Sequence, residues 1–332
     1  MSRVAVVGAT GAVGREMLAV LEQRCFPVDE LRLLASDRSA GGSLRALGAD
    51  HEVRAAAADA FSGVDLALFS AGSRIAMELA PAARAAGALV VDNSSAFRMR
   101  PDCPLVIPEI NGETLAAHRG LIANPNCSTI LLCMAVAPLV ELGGLQGIVA
   151  CTYQAVSGAG TRAVEELRRQ EAQEARGEAL TAEIFPAPIS HNVIPFVQAL
   201  QEDGFSVEET KVRDETRRIL GLPGLAVSAT CVRVPVLRAH SATVHAGLER
   251  PVSAAALYAA LSDRPGIQAA QEGIPTPRDA AGGDDVWVGR VRIDRVFRPG
   301  LALWCVMDQL RKGAALNAVQ IAELALGCPR GA

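Results

Sequence analysis

Arg3-Val4-Ala5-Val6-Val7-Gly8-Ala9-Thr10-Gly11-Ala12-Val13-Gly14, residues 3–14, runs an apolar strand into a glycine-rich turn and then into a helical pattern. Glycines at such a turn let the backbone bend tightly and approach a pyrophosphate, whose charge the free N–H groups of a helix start favour. The spacing is G-x-x-G-x-x-G rather than the commoner G-x-G-x-x-G, and a glycine-rich turn can be merely structural. Its place at the head of a strand–helix alternation points to a dinucleotide.

Outward from this stretch, the first third of the chain alternates short apolar runs with helical patterns. Strands are expected at Arg3–Val7, Leu31–Ala35, Asp65–Ser70, Ala88–Asp92 and Leu121–Asn124, and helices at Val13–Arg24 and Arg74–Ala86. Apolar strands alternating with amphipathic helices predict a parallel, doubly wound sheet. Beyond about residue 127 the runs lengthen: Gly147–Tyr153, Leu225–Val234, Ala242–Glu249, Val286–Ile293 and Leu301–Met307. Their Thr, Val and Arg alternation predicts an antiparallel sheet with one solvated face. Charged helices at Thr161–Arg176 and Glu208–Leu220 fall between them, and Ala314–Leu326 reads as an amphipathic helix able to pack back on the first domain. The fold expected is α/β: a Rossmann-like domain over residues 1–126, joined by a C-terminal helix over 312–330, and a C-terminal α+β domain over 127–311 with a mostly antiparallel sheet.

Composition narrows the function. The 332 residues are 50% hydrophobic and 20% charged, a soluble globular balance, and the net charge of -4 offers no field for a nucleic acid. The chain opens on a strand rather than a charged leader, and the longest apolar run, Thr129 to Val140, is shorter than the roughly 20 residues that span a bilayer. A cytoplasmic protein with no membrane partner is expected. Eight cysteines at irregular spacing, with no C-x-x-C and no His pair at ligand spacing, favour free thiols and no metal site. Lysine is confined to Lys211 and Lys312.

Among the cysteines, Cys133 sits in an apolar run and reads as core. Cys127 lies in Asn124-Pro125-Asn126-Cys127-Ser128-Thr129, polar residues just before an apolar helix. A thiolate there is stabilised by free backbone N–H groups and the helix dipole, and the same N–H groups can hold an oxyanion. Asn and Ser are also ordinary helix caps, so the position alone leaves a structural reading open. A base must accompany a nucleophile. His51 and His118 lie in polar stretches and His191 could cap a helix. In Arg233-Val234-Pro235-Val236-Leu237-Arg238-Ala239-His240, a strand carries Arg and then His beyond a Pro turn, which can bring cation and imidazole into one pocket.

These segments, together with Thr152-Tyr153-Gln154-Ala155-Val156-Ser157-Gly158-Ala159-Gly160 and Lys312-Gly313-Ala314-Ala315-Leu316-Asn317-Ala318-Val319-Gln320, resemble aspartate-semialdehyde dehydrogenases in order and over nearly the whole chain. The resemblance implies NADPH-dependent reductive dephosphorylation of L-4-aspartyl phosphate to L-aspartate 4-semialdehyde, in the pathway to lysine, threonine and methionine. It implies a thioester on Cys127 with Asn126 beside it, His240 as acid/base, and Gln154 orienting the substrate. Arg233 is implied for the substrate carboxylate, Glu208 for its ammonium, and Lys211 and Arg98 for phosphate. The i, i+3 spacing of Glu208 and Lys211 independently puts both on one helix face, where the commoner use is a surface ion pair.

For the cofactor, the resemblance implies Gly8, Thr10, Gly11, Ala12, Val13, Gly14 and Ser70 at the dinucleotide. It implies Ser36, Arg38 and Ser39 at a 2′-phosphate, and Ser157, Gly158 and Asn317 towards the nicotinamide. By residue type the Ser36-Asp37-Arg38-Ser39 loop is ambiguous, since Asp suits a ribose hydroxyl and Arg a 2′-phosphate. The resemblance favours NADP and a homodimer built on the second domain's sheet. Ser70-Ala71-Gly72-Ser73-Arg74 stands where the family often has Ser-Ala-Gly-Gly-Ser, and Gly42 where it often has lysine. Two rival readings remain: an N-acetyl-γ-glutamyl-phosphate reductase, in which Gly and an aromatic usually flank the Cys rather than Asn126 and Ser128, and a non-catalytic paralogue acting as a binding subunit.

Overall fold

The computed structural model describes residues 2–328, which form two units: one comprises the residues up to Asn126 and those from Gly313 onward, the other Cys127–Lys312. The last two residues of the helix expected over 312–330 lie outside the described residues.

In the first unit, β1 (Ser2–Val7), α1 (Ala12–Gln23), β2 (Val28–Ala35), β3 (Ser43–Ala46), β4 (Ala49–Ala55), β5 (Leu66–Phe69), α2 (Ser73–Ala85), β6 (Leu89–Asp92), α3 (Pro108–Asn111) and β7 (Leu121–Ala123) follow one another. The strands form one sheet in the order β3-β4-β2-β1-β5-β6-β7, parallel except for the β3–β4 hairpin at its edge. Val4 to Val7 in β1 are fully buried, which is why this strand reads as an unbroken apolar run. The hairpin escaped the sequence reading because its residues are mostly exposed and polar.

The second unit contains α4 (Cys127–Gly143), β8 (Leu145–Gln154), α5 (Thr161–Ala175), α6 (Val207–Ile219), β9 (Ala226–Arg233), β10 (His240–Leu248), α7 (Ala254–Ser262), β11 (Ile267–Ala270), α8 (Pro277–Ala280), β12 (Val286–Ile293) and β13 (Gly300–Met307). Its six-stranded sheet has the order β11-β12-β13-β10-β8-β9, antiparallel at β10–β13, β10–β8 and β12–β13 and parallel at β8–β9 and β11–β12. The apolar run from Thr129 to Val140 is α4, buried nearly all round against α6, α7 and the sheet. Among the described residues, no helix is long and apolar enough to cross a membrane. The sheet's opposite face is open as the alternation predicts, with Val149 exposed and Cys151, Tyr153, Thr243, His245 and Trp304 half-buried.

A π turn, Arg311–Ala315, leads into α9 (Leu316–Leu326). This helix belongs to the first unit's core, where Leu316, Val319 and Ile321 meet Met17, Leu21 and Val20 of α1. Each such buried aliphatic side chain stabilises by roughly 2 kcal/mol. A forked ion pair joins the same two helices: Arg24 Nε and Nη2 lie 2.7 and 2.8 Å from the carboxylate oxygens of Glu323, which is almost wholly buried. Removing one partner strands a buried charge, so Arg24→Met should destabilise by about 3 kcal/mol. Denaturant unfolding of the two proteins checks this, with Arg24→Met/Glu323→Leu recovering most of the loss.

Candidate active site

The glycine-rich turn in the first unit leaves room where room is needed. Gly8 has φ +86°, and a Cβ there would lie 2.6 Å from the Ser70 carbonyl oxygen; a Cβ on Gly14 would lie 2.2 Å from the Gly8 carbonyl oxygen. Gly11 precedes α1 with no side-chain cap, so the first-turn N–H groups are presented to whatever enters the turn. Beside it lies a cavity of about 600 Å³, within the range of ligand pockets. Its walls include Gly8, Thr10, Gly11, Ser36, Arg38, Ser39 and Ser70, all expected at a cofactor; Ala12, Val13 and Gly14 are not in the wall and continue the helix. The cavity also takes in Asp37, and from α2 Arg74 and Glu78, which the sequence reading did not assign.

Elsewhere in this unit, Asn317 is fully buried, and its amide donates to the Val106 carbonyl (3.0 Å) and to Asn124 Oδ1 (2.6 Å). Asn124 in turn donates to Asn93 Oδ1 (2.5 Å). Arg98 is buried and donates to the carbonyls of Asn93 and Asn124, both at 2.9 Å. These bonds fix the chain leading to Asn126, itself buried and one residue before Cys127.

In the second unit, one end of the sheet gathers most of the expected residues. Gln154 and Arg233 are registered neighbours at the ends of the parallel strands β8 and β9. His240 begins β10 one residue before Ser241, which pairs with Tyr153. The strand expected from Ala242 therefore starts two residues earlier, with His240 paired opposite Met307. Cys127 opens α4, which covers this face. Side chains alternate across a strand, so Gln154, Arg233 and His240 share the face on which α4 and α6 lie.

The contacts are specific. Gln154 is buried, and its amide nitrogen lies 2.8 Å from Ser128 Oγ and 3.3 Å from Glu208 Oε1. Arg233 is buried, donates to the Ala155 carbonyl (2.6 Å) and lies over the Phe185 ring at 5.8 Å. Burial pulls its pKa down, opposed chiefly by the charges of Cys127 and Glu208. His240 is fully buried, and its Nδ1 accepts the Ala155 N–H at 3.1 Å. That bond assigns the neutral ring's proton to Nε2, and among the described residues Nε2 has no hydrogen-bond partner. Burial, then the Arg233 charge, hold the His240 pKa well below 6.5. A Cβ on Gly158 would meet His240 Cε1 at 2.9 Å and Arg233 Nη1 at 3.0 Å, so glycine is what allows this loop over the ring.

Glu208 sits on the first turn of α6, next to Glu209. Glu209 completes the capping box with Ser206 and accepts the Cys231 N–H at 2.8 Å, tying the helix to β9. This leaves Glu208 turned to Gln154 and to Gln198, whose amide nitrogen lies 3.0 Å from its Oε2. Lys211 donates to Gln198 Oε1 at 2.7 Å. Ser157 accepts from Gln309 Nε2 (2.6 Å), and Gln309 Oε1 accepts the N–H of Ala239, which has φ +75° just before His240. Neither Gln198 nor Gln309 carries a motif that sequence could have revealed. Of the other thiols, burial pushes Cys133 up to about 12 and raises Cys231 and Cys305 as well, whereas Cys127 is half-buried and interacts with the Arg233 charge.

Two family models match the chain: one described as semialdehyde dehydrogenase, NAD binding domain, over residues 3–118, and one as semialdehyde dehydrogenase, dimerisation domain, over residues 136–312. The chain is 47% identical over 330 residues to the aspartate-semialdehyde dehydrogenase of Aquifex aeolicus, spanning 97% of each. Identity to the Bacillus subtilis enzyme is 45% over 96% of each. Aspartate semialdehyde dehydrogenase II from Vibrio cholerae, solved also in complex with ASA, superposes with a TM-score of 0.96 at 44% identity over 98% of this chain, and 99% of its own chain in the first of those structures. The chain belongs to the aspartate-semialdehyde dehydrogenase family. The reductase alternative is not favoured, and the family's nucleotide-binding and second domains correspond to the parallel and mostly antiparallel sheets described above.

Within this family member, the neutral state of His240 has a measurable consequence. Its folded pKa lies below the unfolded value of about 6.5, so the unfolded chain takes up the proton first as pH falls. Stability is whole above that pH and declines below it, by up to about 1.4 kcal/mol per pH unit. His240→Gln should remove this share of the slope between pH 7 and 5 in denaturant unfolding. Gly158→Ala should displace the buried ring and guanidinium, lowering turnover by more than about tenfold and stability by about 1–3 kcal/mol, checked by steady-state rates beside denaturant unfolding.

Proposed function

We propose that this chain is an NADP-dependent aspartate-semialdehyde dehydrogenase that works through a thioester on Cys127. The observation that carries the reading is the convergence of Cys127, Gln154, Glu208, Arg233 and His240 at one end of the second sheet. The names and high identity of the relatives support it. A non-catalytic role is disfavoured because the sequence keeps Cys127, His240, Arg233, Glu208 and Lys211.

In the biosynthetic direction the Cys127 sulfur attacks the acyl carbon of aspartyl phosphate; a C–S bond forms and phosphate leaves with the C–O electron pair. Arg233 pairs with the substrate carboxylate, for which a planar guanidinium is suited, and Glu208 takes the ammonium. Lys211 and Arg98 serve the phosphate, Gln154 orients the acyl group, and Asn126 adjoins the nucleophile. The nicotinamide, when bound, supplies hydride to the thioester carbon. The tetrahedral oxygen then accepts a hydrogen bond from His240 Nε2, and collapse breaks the C–S bond to give the aldehyde and the Cys127 thiolate. Thioester plus hydride yields aldehyde plus thiolate with no net proton. The acid/base role expected of His240 therefore narrows to that of a neutral hydrogen-bond donor, which its buried, uncharged ring suits.

The cavity of the first unit fits a dinucleotide in size and in its uncapped helix start, and Arg38 with Ser36 and Ser39 forms the 2′-phosphate end. Arg74 adds a second guanidinium to the cavity, 3.5 Å from the Glu78 carboxylate. Ser70 and the Gly8–Gly14 turn hold the pyrophosphate side. Ser157, Gly158 and Asn317 serve the nicotinamide end. The open face of the second sheet, with Val149 at its surface, is the homodimer surface, and the site of action is the cytoplasm.

The test is NADP reduction with L-aspartate semialdehyde, with and without inorganic phosphate. Phosphate-dependent reduction, slower with NAD, is expected, and Cys127→Ala should lose at least about a thousandfold in turnover while still binding NADP. Unchanged turnover in that variant contradicts the mechanism, and a preference for NAD contradicts the cofactor reading.

A further inference from the structure

The structure assigns to Gln198 the part of a spacer that keeps the charges of Glu208 and Lys211 apart, each available to its own end of the substrate. This inference rests on the substrate reading above. Glu and Lys three residues apart on a helix face ordinarily meet as an ion pair. Among the described residues Lys211 forms no salt bridge; its ammonium donates to Gln198 Oε1 at 2.7 Å, while Gln198 Nε2 donates to Glu208 Oε2 at 3.0 Å. A carboxamide is the side chain that can do this, since one end accepts from an ammonium and the other donates to a carboxylate without carrying charge.

Gln198 is held in place to do it. Its backbone has φ +66°, a left-handed conformation uncommon outside glycine and asparagine, and such conformations persist where the surroundings enforce them. Val197 before it is buried, and the carbonyl of Ala199 after it accepts the Val207 N–H at 2.9 Å at the start of α6. The segment is thus fastened to the helix that carries both charges. Glu208 is almost fully buried, so a direct pair with Lys211 would neutralise the carboxylate that the substrate ammonium needs and draw the lysine from the phosphate. With the amide between them, each charge is hydrogen-bonded to Gln198 and neither neutralises the other. Gln198 is a positioning residue: it acts through Glu208 and Lys211.

The test is a double-mutant cycle in the full chain, read as KM for L-aspartate semialdehyde and for phosphate. Gln198→Met, of similar length but without the amide, should raise both KM values about tenfold while changing kcat less than about threefold. Alkylation of Cys127 by iodoacetamide should proceed at the unaltered rate. In a Lys211→Met background there is no ammonium to collapse onto Glu208, so adding Gln198→Met should change the semialdehyde KM by less than about twofold. An equal rise in both backgrounds would show a general structural role and overturn the spacer, as would unchanged KM values in the first variant. If Glu208→Gln leaves the semialdehyde KM unaltered, the ammonium site itself is wrong, and the spacer fails with it for that separate reason.

Discussion

Arg233 carries a positive charge where almost no water reaches, and its guanidinium is fastened to the Ala155 carbonyl at 2.6 Å. A buried cation is tolerated only if its surroundings answer it. Here the answer comes from a carbonyl, an aromatic face and the charges of Cys127 and Glu208. The same charge, with burial, keeps the neighbouring His240 imidazole neutral. The Ala155 peptide serves both groups at once, its oxygen accepting from Arg233 and its N–H bonding His240 Nδ1. One peptide unit thereby fixes the direction of the cation and the tautomer of the ring.

That arrangement dictates much of the local sequence. The loop after β8 must cross close over the ring, which Gly158 permits. The turn before β10 must enter the strand through a left-handed Ala239, which Gln309 holds by its N–H while gripping Ser157 with its other end. Asp308 beside it accepts from Arg238, from the Gly282 N–H and from the N–H groups of Leu310 and Arg311, anchoring the segment from below. The polar residues around the site are thus a network in which each buried group has a reason to be polar. The buried His240 Nε2 is the exception: among the described residues it has no hydrogen-bond partner, and such a donor is what an oxyanion requires.

Sequence revealed the architecture well because the physics there is periodic. Fully buried parallel strands such as β1 and the one-sided strands β8 to β10 leave distinct patterns, and Gly8, Gly11 and Gly14 mark a turn with few alternatives. It revealed little of the edge hairpin β3–β4, whose residues are mostly exposed, or of α7, whose alanine-rich sequence has no polar face. At the site, residues set in motifs were legible: Cys127 by its helix start, Arg233 and His240 by their shared strand and turn. Gln198 and Gln309 were not, because a glutamine acts only through partners distant in sequence. The strand expected from Ala242 begins at His240: the Pro235 turn masks the start of β10, which its ladder with β13 shows.

The central claim is that Cys127 carries the acyl group, and peptide mass spectrometry tests it most directly. The protein is mixed with NADP and L-aspartate semialdehyde without phosphate, quenched in acid and digested. The account predicts one aspartyl adduct, on the peptide bearing Cys127, that disappears when phosphate is added before the quench. An adduct on an accessible thiol such as Cys25 or Cys151 instead, or none on Cys127 under turnover, would contradict it.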